Sequence, residues 1–329
     1  MSLLIPSFQD RHDALGHLDV REWFAETVAK ALQDEKTRDN FKWSFEVVPG
    51  FFAQSDEKTD DLKFNYAFNN IGRLKSWGDL IEELKELNRH AKPNEVFKLV
   101  TCARHGEGFH NMVVDKYGIQ AWSEKWSHLN TDGELEYGPD AMLSAKGIEQ
   151  ARQNHEVWEK EIKEHGAPLP DKFYVSPLQR SMWTLQYTWE NLRSADQKAL
   201  IVEKLRERYG SHTCNKRNTK SIIEKRFLGY GYEFEDGFLE EDVLHTDEQE
   251  SHHHHCVRTN DFCQELFEKD WDSQANAVDR EKALANAFIS TTSHAGTISE
   301  LLTVFNHRPF AISTGGMIPV VVKATRRID

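Results

Sequence analysis

Val96-Phe97-Lys98-Leu99-Val100-Thr101-Cys102-Ala103 runs directly into Arg104-His105-Gly106-Glu107-Gly108-Phe109-His110-Asn111. A short apolar run that ends in a polar, glycine-punctuated segment reads as a buried strand feeding a functional loop. Glycine beside His105 lets an anion approach the backbone closely, and the neighbouring Arg104 offers a planar fork of donors that matches phosphate oxygens. Histidine can itself be the nucleophile of covalent catalysis. An exposed turn with a surface histidine would carry the same tetrapeptide, so the neighbourhood has to decide.

Outward from this stretch the pattern repeats. Residues 173–176, 199–203, 288–293 and 318–323 are further strand candidates, and helical patterns lie between several of them. One helix opens near Ser144 and places Ile148, Ala151, His155, Trp158 and Ile162 on one face, which makes His155 a packed histidine. Another is expected to start with Ser176 as N-cap and Pro177 at its first position, ahead of Leu178, Met182, Leu185, Trp189 and Leu192. Strands alternating with such helices imply an α/β fold with a mostly parallel central sheet, whose active site gathers at the carboxyl ends of the strands.

At two more strand ends the same chemistry recurs. Ser176-Pro177-Leu178-Gln179-Arg180 places Arg180 in a helix's first turn, an anion-attracting position, and Thr291-Thr292-Ser293-His294-Ala295-Gly296 carries a second histidine into another helix. Two arginine–histidine pairs converging on one anion are expected.

These motifs, in this order, resemble the histidine phosphatase superfamily, the group that includes cofactor-dependent phosphoglycerate mutases. The resemblance covers roughly residues 95–325 and includes Leu143-Ser144-Ala145-Lys146-Gly147-Ile148-Glu149-Gln150-Ala151 as the family's helix start. It implies a three-layer α/β/α sandwich. It also implies His105 as phosphate acceptor, Arg104, Arg180 and His294 around the phosphoryl oxygens, Asn111 as a further donor, and a glutamate as proton donor. Leu205-Arg206-Glu207 is similar to the family's leucine–x–glutamate segment, which favours Glu207 over Glu203. Ala295 stands where many members have glycine, and Gly108-Phe109-His110 departs from the glutamate–serine pattern of mutases. Residues 43–90 are similar to the extension of a fungal phosphomutase-homologue branch with phosphatase-like members.

The expected activity is hydrolysis of small phosphorylated metabolites through a phosphohistidine, with no cofactor and no metal; a mutase or a catalytically silent interaction module are the alternatives. Residues 1–94 read as an N-terminal extension packed on the core, 95–329 as the catalytic domain, and the polar stretch 208–285 as a cap insertion. His212, Cys214 and Lys216 in that stretch read as loop structure. His252, His253, His254 and His255, followed by Cys256 and Cys263, fit no usual zinc spacing and read as a solvated loop.

Bulk composition narrows the remaining classes. At 329 residues, with 39% hydrophobic and 29% charged residues, the chain can bury a sizeable core. A net charge of −13 opposes nucleic acid and anionic membranes as general partners. No uninterrupted apolar stretch reaches the ~20 residues of a membrane span, and the first ten residues lack a signal-peptide pattern, so the expected location is cytoplasmic. Four cysteines in a chain of this length are expected to be free thiols.

Overall fold

The computed structural model describes residues 2–16, 18–194 and 196–328. In chain order the elements are α1 (Phe8–Leu15), α2 (Leu18–Ala31), β1 (Trp43–Val47), α3 (Trp77–His90), β2 (Glu95–Arg104), α4 (Phe109–Glu124), α5 (Ala145–His165), β3 (Lys172–Val175), α6 (Gln179–Thr188) and β4 (Ala199–Ile201). They continue with α7 (Lys220–Phe227), β5 (Tyr232–Phe234), α8 (His252–Glu268), β6 (Trp271–Asp272), β7 (Ala277–Val278), α9 (Arg280–Ala285), β8 (Phe288–Ser293), α10 (Ala295–Val304) and β9 (Met317–Arg326).

Seven strands form one sheet in the order β1-β9-β2-β8-β3-β4-β5. From β2 to β5 all neighbours run parallel, while β9 is antiparallel to both β2 and β1. Alternation along the central strand divides the core into two layers, as a period of two requires. Val96, Val100 and Cys102 of β2 pack with α2, α8 and α10 on one face. Phe97 and Leu99 pack with α3, α5, α6 and α7 on the other. A sheet covered on both faces by helices is the expected three-layer α/β/α sandwich with a mostly parallel sheet.

Local sequence explains several helix starts. Ser76 caps α3 by accepting from Asp79 N, and Ser144 caps α5 by accepting from Gly147 N. The expected Ser176 cap does not form: α6 begins at Gln179 after Leu178, and the acceptor for Gln179 N is Asp140 Oδ1, 2.9 Å away, from a distant loop. Ser176 is engaged elsewhere, with its Oγ 2.8 Å from His294 Nε2.

The segments hardest to read from sequence are built into the layers. Residues 1–94 supply β1, the sheet's outermost strand beside β9, and the covering helices α2 and α3. Within 208–285, β5 forms the opposite sheet edge and α8 buries Cys256, Phe262, Cys263, Leu266 and Phe267. The four histidines at 252–255 are the first turn of α8, not a solvated loop; His255 is fully buried, its Nε2 3.1 Å from Thr297 Oγ1. His155 is partly buried, with Nδ1 3.2 Å from the Thr188 carbonyl. All four cysteines are free and buried. Among the described residues no helix is long and apolar enough to cross a membrane, and no group of three or more His, Cys, Asp or Glu is arranged to hold a metal ion.

Candidate active site

The carboxyl ends of β2, β3 and β8 meet at one edge of the sheet, and their loops are stitched together by backbone hydrogen bonds. His105 N donates to Ser293 O at 3.0 Å, Ser176 N to Thr292 O at 3.1 Å, and Gly315 N to His105 O at 2.8 Å. Arg104, His105 and His294 therefore sit on adjacent strand ends with little freedom. Gly106 is required by helix packing: a Cβ on it would lie 2.3 Å from Gly147 O at the start of α5. Glu107 completes the junction, accepting from Ser144 Oγ and Lys146 Nζ at 2.7 Å each.

Five of the six residues expected at the site line one cavity of about 380 Å³: Arg104, His105, Asn111, Arg180 and Glu207. His294 lies directly behind it, fully buried, with its ring centroid 5.0 Å from that of His105. The alternative glutamate, Glu203, is outside this cavity and is tied to Arg206 at 3.1 Å and Arg217 at 2.5 Å.

Hydrogen bonding orients each group. His105 Nδ1 is 2.7 Å from the Gly106 carbonyl, which accepts a hydrogen bond from Nδ1–H and leaves Nε2 as the ring's unprotonated nitrogen. His294 has Nε2 2.8 Å from Ser176 Oγ and 3.3 Å from Ser181 Oγ, while its buried Nδ1 has no partner. Arg180 donates from Nη1 to Cys214 O and from Nη2 to Asn215 Oδ1, both at 2.8 Å. Asn111 Oδ1 accepts from Gly108 N at 2.9 Å, so its NH₂ group remains a donor at the cavity wall. Glu207 Oε1 accepts from Arg208 N at 3.0 Å and Oε2 from Gly296 N at 3.2 Å, at the start of α10. A Cβ on Gly296 would meet Glu207 Oε1 at 2.4 Å, so the glycine makes room for the carboxylate.

Positive charge and dryness act together on the imidazoles. Burial, then the Arg180 guanidinium, hold His105 and His294 well below the usual histidine range. His110 is displaced the same way for the same causes. Both causes favour the neutral ring, the state in which a ring nitrogen can attack.

Several contributors were invisible in sequence. His110 brings a third imidazole, its centroid 5.4 Å from His105. His212 and Cys214, read as loop structure, line the cavity, as does Asn215; Lys216 does not. Asp10 of α1, distant in sequence, reaches Arg104 Nη1 at 2.5 Å. A second cavity of about 290 Å³ adjoins the first across Arg104, Glu207 and Ala295, and its far wall includes the apolar Ile298, Leu302, Phe310 and Ile312 beside Arg208.

Residues 102–311 match the family model "Histidine phosphatase superfamily (branch 1)". The chain is 32% identical over 306 residues to the "Probable phosphoglycerate mutase" of Arthroderma benhamiae, covering 87% of this chain and 86% of that protein. It is 33% identical over 283 residues to "Phosphomutase-like protein 3" of Candida albicans, covering 83% and 78%. Among solved structures, the alpha-ribazole phosphatase of Shigella flexneri aligns with 70% of this chain and 95% of its own at 16% identity and TM-score 0.38. Phosphoserine phosphatase of Entamoeba histolytica aligns with 68% and 94% at 18% identity and TM-score 0.37.

Proposed function

We propose that this chain, which belongs to the histidine phosphatase superfamily, is a phosphomonoesterase that works through a phosphohistidine at His105. The observation that carries this is the His105 ring itself: Nδ1 is committed to the Gly106 carbonyl at 2.7 Å, and the ring stands at a cavity walled by two guanidinium groups.

Nε2 of His105 attacks phosphorus while the bond to the leaving oxygen breaks. Arg104, Arg180, the Asn111 amide and His294 stabilise the charge spread over the nonbridging oxygens, which is where most of the acceleration of phosphoryl transfer arises. Glu207, entering as a carboxylic acid, hands its proton to the leaving alkoxide. Water then attacks phosphorus, Glu207 takes up a proton from it, and the P–N bond breaks to release inorganic phosphate. The adjoining cavity, apolar on one side and lined by both arginines and carboxylates on the other, receives the leaving group, so the substrates are small phosphate esters.

The names borne by the fungal relatives favour a second reading, a phosphoglycerate mutase-like enzyme that returns the phosphoryl group to a sugar acid. Gly108-Phe109-His110 after the leading motif, together with open cavity space beside Glu207 for water, supports hydrolysis instead. The test is rapid quenching of wild type and His105→Ala with a labelled phosphate ester. Wild type is expected to carry transient acid-labile, base-stable phosphate and to release inorganic phosphate in every turnover, and His105→Ala to do neither. Label that persists in wild type until phosphoglycerate is added would favour the mutase, and equal labelling of both proteins would end the assignment of His105.

A further inference from the structure

We propose that α1 is a displaceable strap whose Asp10 carboxylate holds Arg104 and yields it to an incoming phosphate. This rests on the phosphate-site reading above and extends it to a competition within the molecule.

Asp10 Oδ1 lies 2.5 Å from Arg104 Nη1, and both side chains are largely withdrawn from solvent. Asp10 shares Nη1 with the Ile312 carbonyl at 2.7 Å, so a phosphate drawn to the other donors of this guanidinium stands beside the Asp10 carboxylate. Two anions crowded onto it repel in a setting too dry to screen them. Asp10 cannot simply rotate away, because Oδ2 accepts from Ser7 N at 2.8 Å and Ser7 Oγ at 2.7 Å in the box that caps α1. When the carboxylate leaves Arg104, the helix goes with it.

The helix is built to go. None of its eight residues is buried, and Phe8 is 84% exposed. Besides Asp10, its ionic tie to the body is Arg11, 3.6 Å from Asp61 and 3.9 Å from Asp60. On either side stand firm anchors: Leu4 is 1% exposed, and Val20 and Phe24 of α2 are in the core. A rigid short helix between two fixed points, resting against α10 with no buried residue of its own, moves as a unit. Asp13 lines the same cavity, so release of the strap withdraws a second carboxylate from the path of an anionic substrate. Return of Asp10 to Arg104 then helps to expel phosphate at the end of the cycle.

Orthovanadate, a phosphate analogue, tests this by calorimetry on the full chain with wild type, Asp10→Asn and Arg11→Ala. Asp10→Asn is expected to bind vanadate about 5–30-fold more tightly, the equivalent of losing one charge-assisted competitor. Arg11→Ala, which loosens the strap without touching Arg104, is expected to tighten binding by about 2-fold, on the scale of an exposed ion pair. In wild type, vanadate is expected to accelerate tryptic cleavage after Arg11. Weaker or unchanged vanadate binding by Asp10→Asn, or vanadate protection of Arg11, would overturn the strap and make Asp10 a residue that positions Arg104. Failure of wild type to bind vanadate would instead remove the phosphate site itself, and the strap with it.

Discussion

Two arginine clusters lie side by side beyond the sheet edge and handle buried charge in opposite ways. In the first, Arg206 and Arg217 are matched by Glu203 and Asp242: Arg206 is 2.7 Å from Asp242 and 3.1 Å from Glu203, and Arg217 is 2.5 Å from Glu203. Burial works against the Arg206 charge, yet the two carboxylates hold it above the usual arginine range. In the second, Arg180 bonds only to the uncharged Cys214 O and Asn215 Oδ1, and among the described residues no carboxylate lies within ion-pair distance of it. Burial leaves Arg180 below the usual range and drives three neighbouring imidazoles neutral. The Arg206–Arg217 cluster is neutralised as scaffold, whereas the Arg180 charge has no carboxylate within ion-pair distance among the described residues. Asn215 joins them, accepting from Arg206 Nη2 through its carbonyl and from Arg180 Nη2 through its side chain.

The largest effect expected around Arg180 is that of Glu207→Gln, which removes the proposed proton donor while keeping its shape. For an alkyl phosphate kcat should fall about 10²–10⁴-fold. For an aryl ester with an acidic phenol the loss should be much smaller, since such a leaving group departs without a proton; equal losses with both would remove Glu207 from that role. At the scaffold, Asp242→Ala leaves Arg206 without its closest counter-ion and should cost about 3–5 kcal/mol of stability in denaturant unfolding. The fraction that remains folded should retain its kcat.

Arg180→Gln should show the reverse profile: kcat/KM down about 10²–10³-fold, with unfolding stability unchanged or higher. A strongly destabilised Arg180→Gln would erase the distinction between the two clusters. The smallest expected effect concerns pH. Folded His110 resists a proton that the unfolded chain accepts near pH 6.5, so the stability tied to its neutral ring is present above that pH and lost as pH falls. Asp140 and Glu300, which burial pushes up to about 6 and 7, act in the opposite direction but are common to both proteins compared. Between pH 7 and 5.5, His110→Asn should lose about 1 kcal/mol less stability than wild type, and parallel curves would show that this ring titrates normally.

How much of this was legible depended on the range of the interactions. The Val96–Ala103 run and the Ser144 start revealed themselves because strand period and helix cap are local signals. Arg104, His105, Arg180 and Glu207 followed because each stands at an element end and belongs to a recognisable motif. Gly106 was legible as essential but not for its reason, since the backbone that crowds it comes from Gly147. Ser176 had the local look of a cap, and only the arrival of His294 from another strand shows why it serves otherwise. The histidines of α8 look like solvent-facing residues until Thr297 supplies a buried partner for His255. Asp10 lies 94 positions from Arg104, beyond the reach of any motif.

The place of β9 has a consequence for how the molecule is made. Trp43 pairs with Arg326, and Arg104 N is fixed by Gly316 O. Strand β1 and the loop that carries His105 thus both depend on a segment made after them. A nascent chain halted before β9 holds Arg104, His105, Arg180 and Glu207, but lacks the strand that sets the first two in register. The register of that loop is therefore complete only once β9 has been made, and the apolar face of β1 must be kept from other partners until its neighbour emerges.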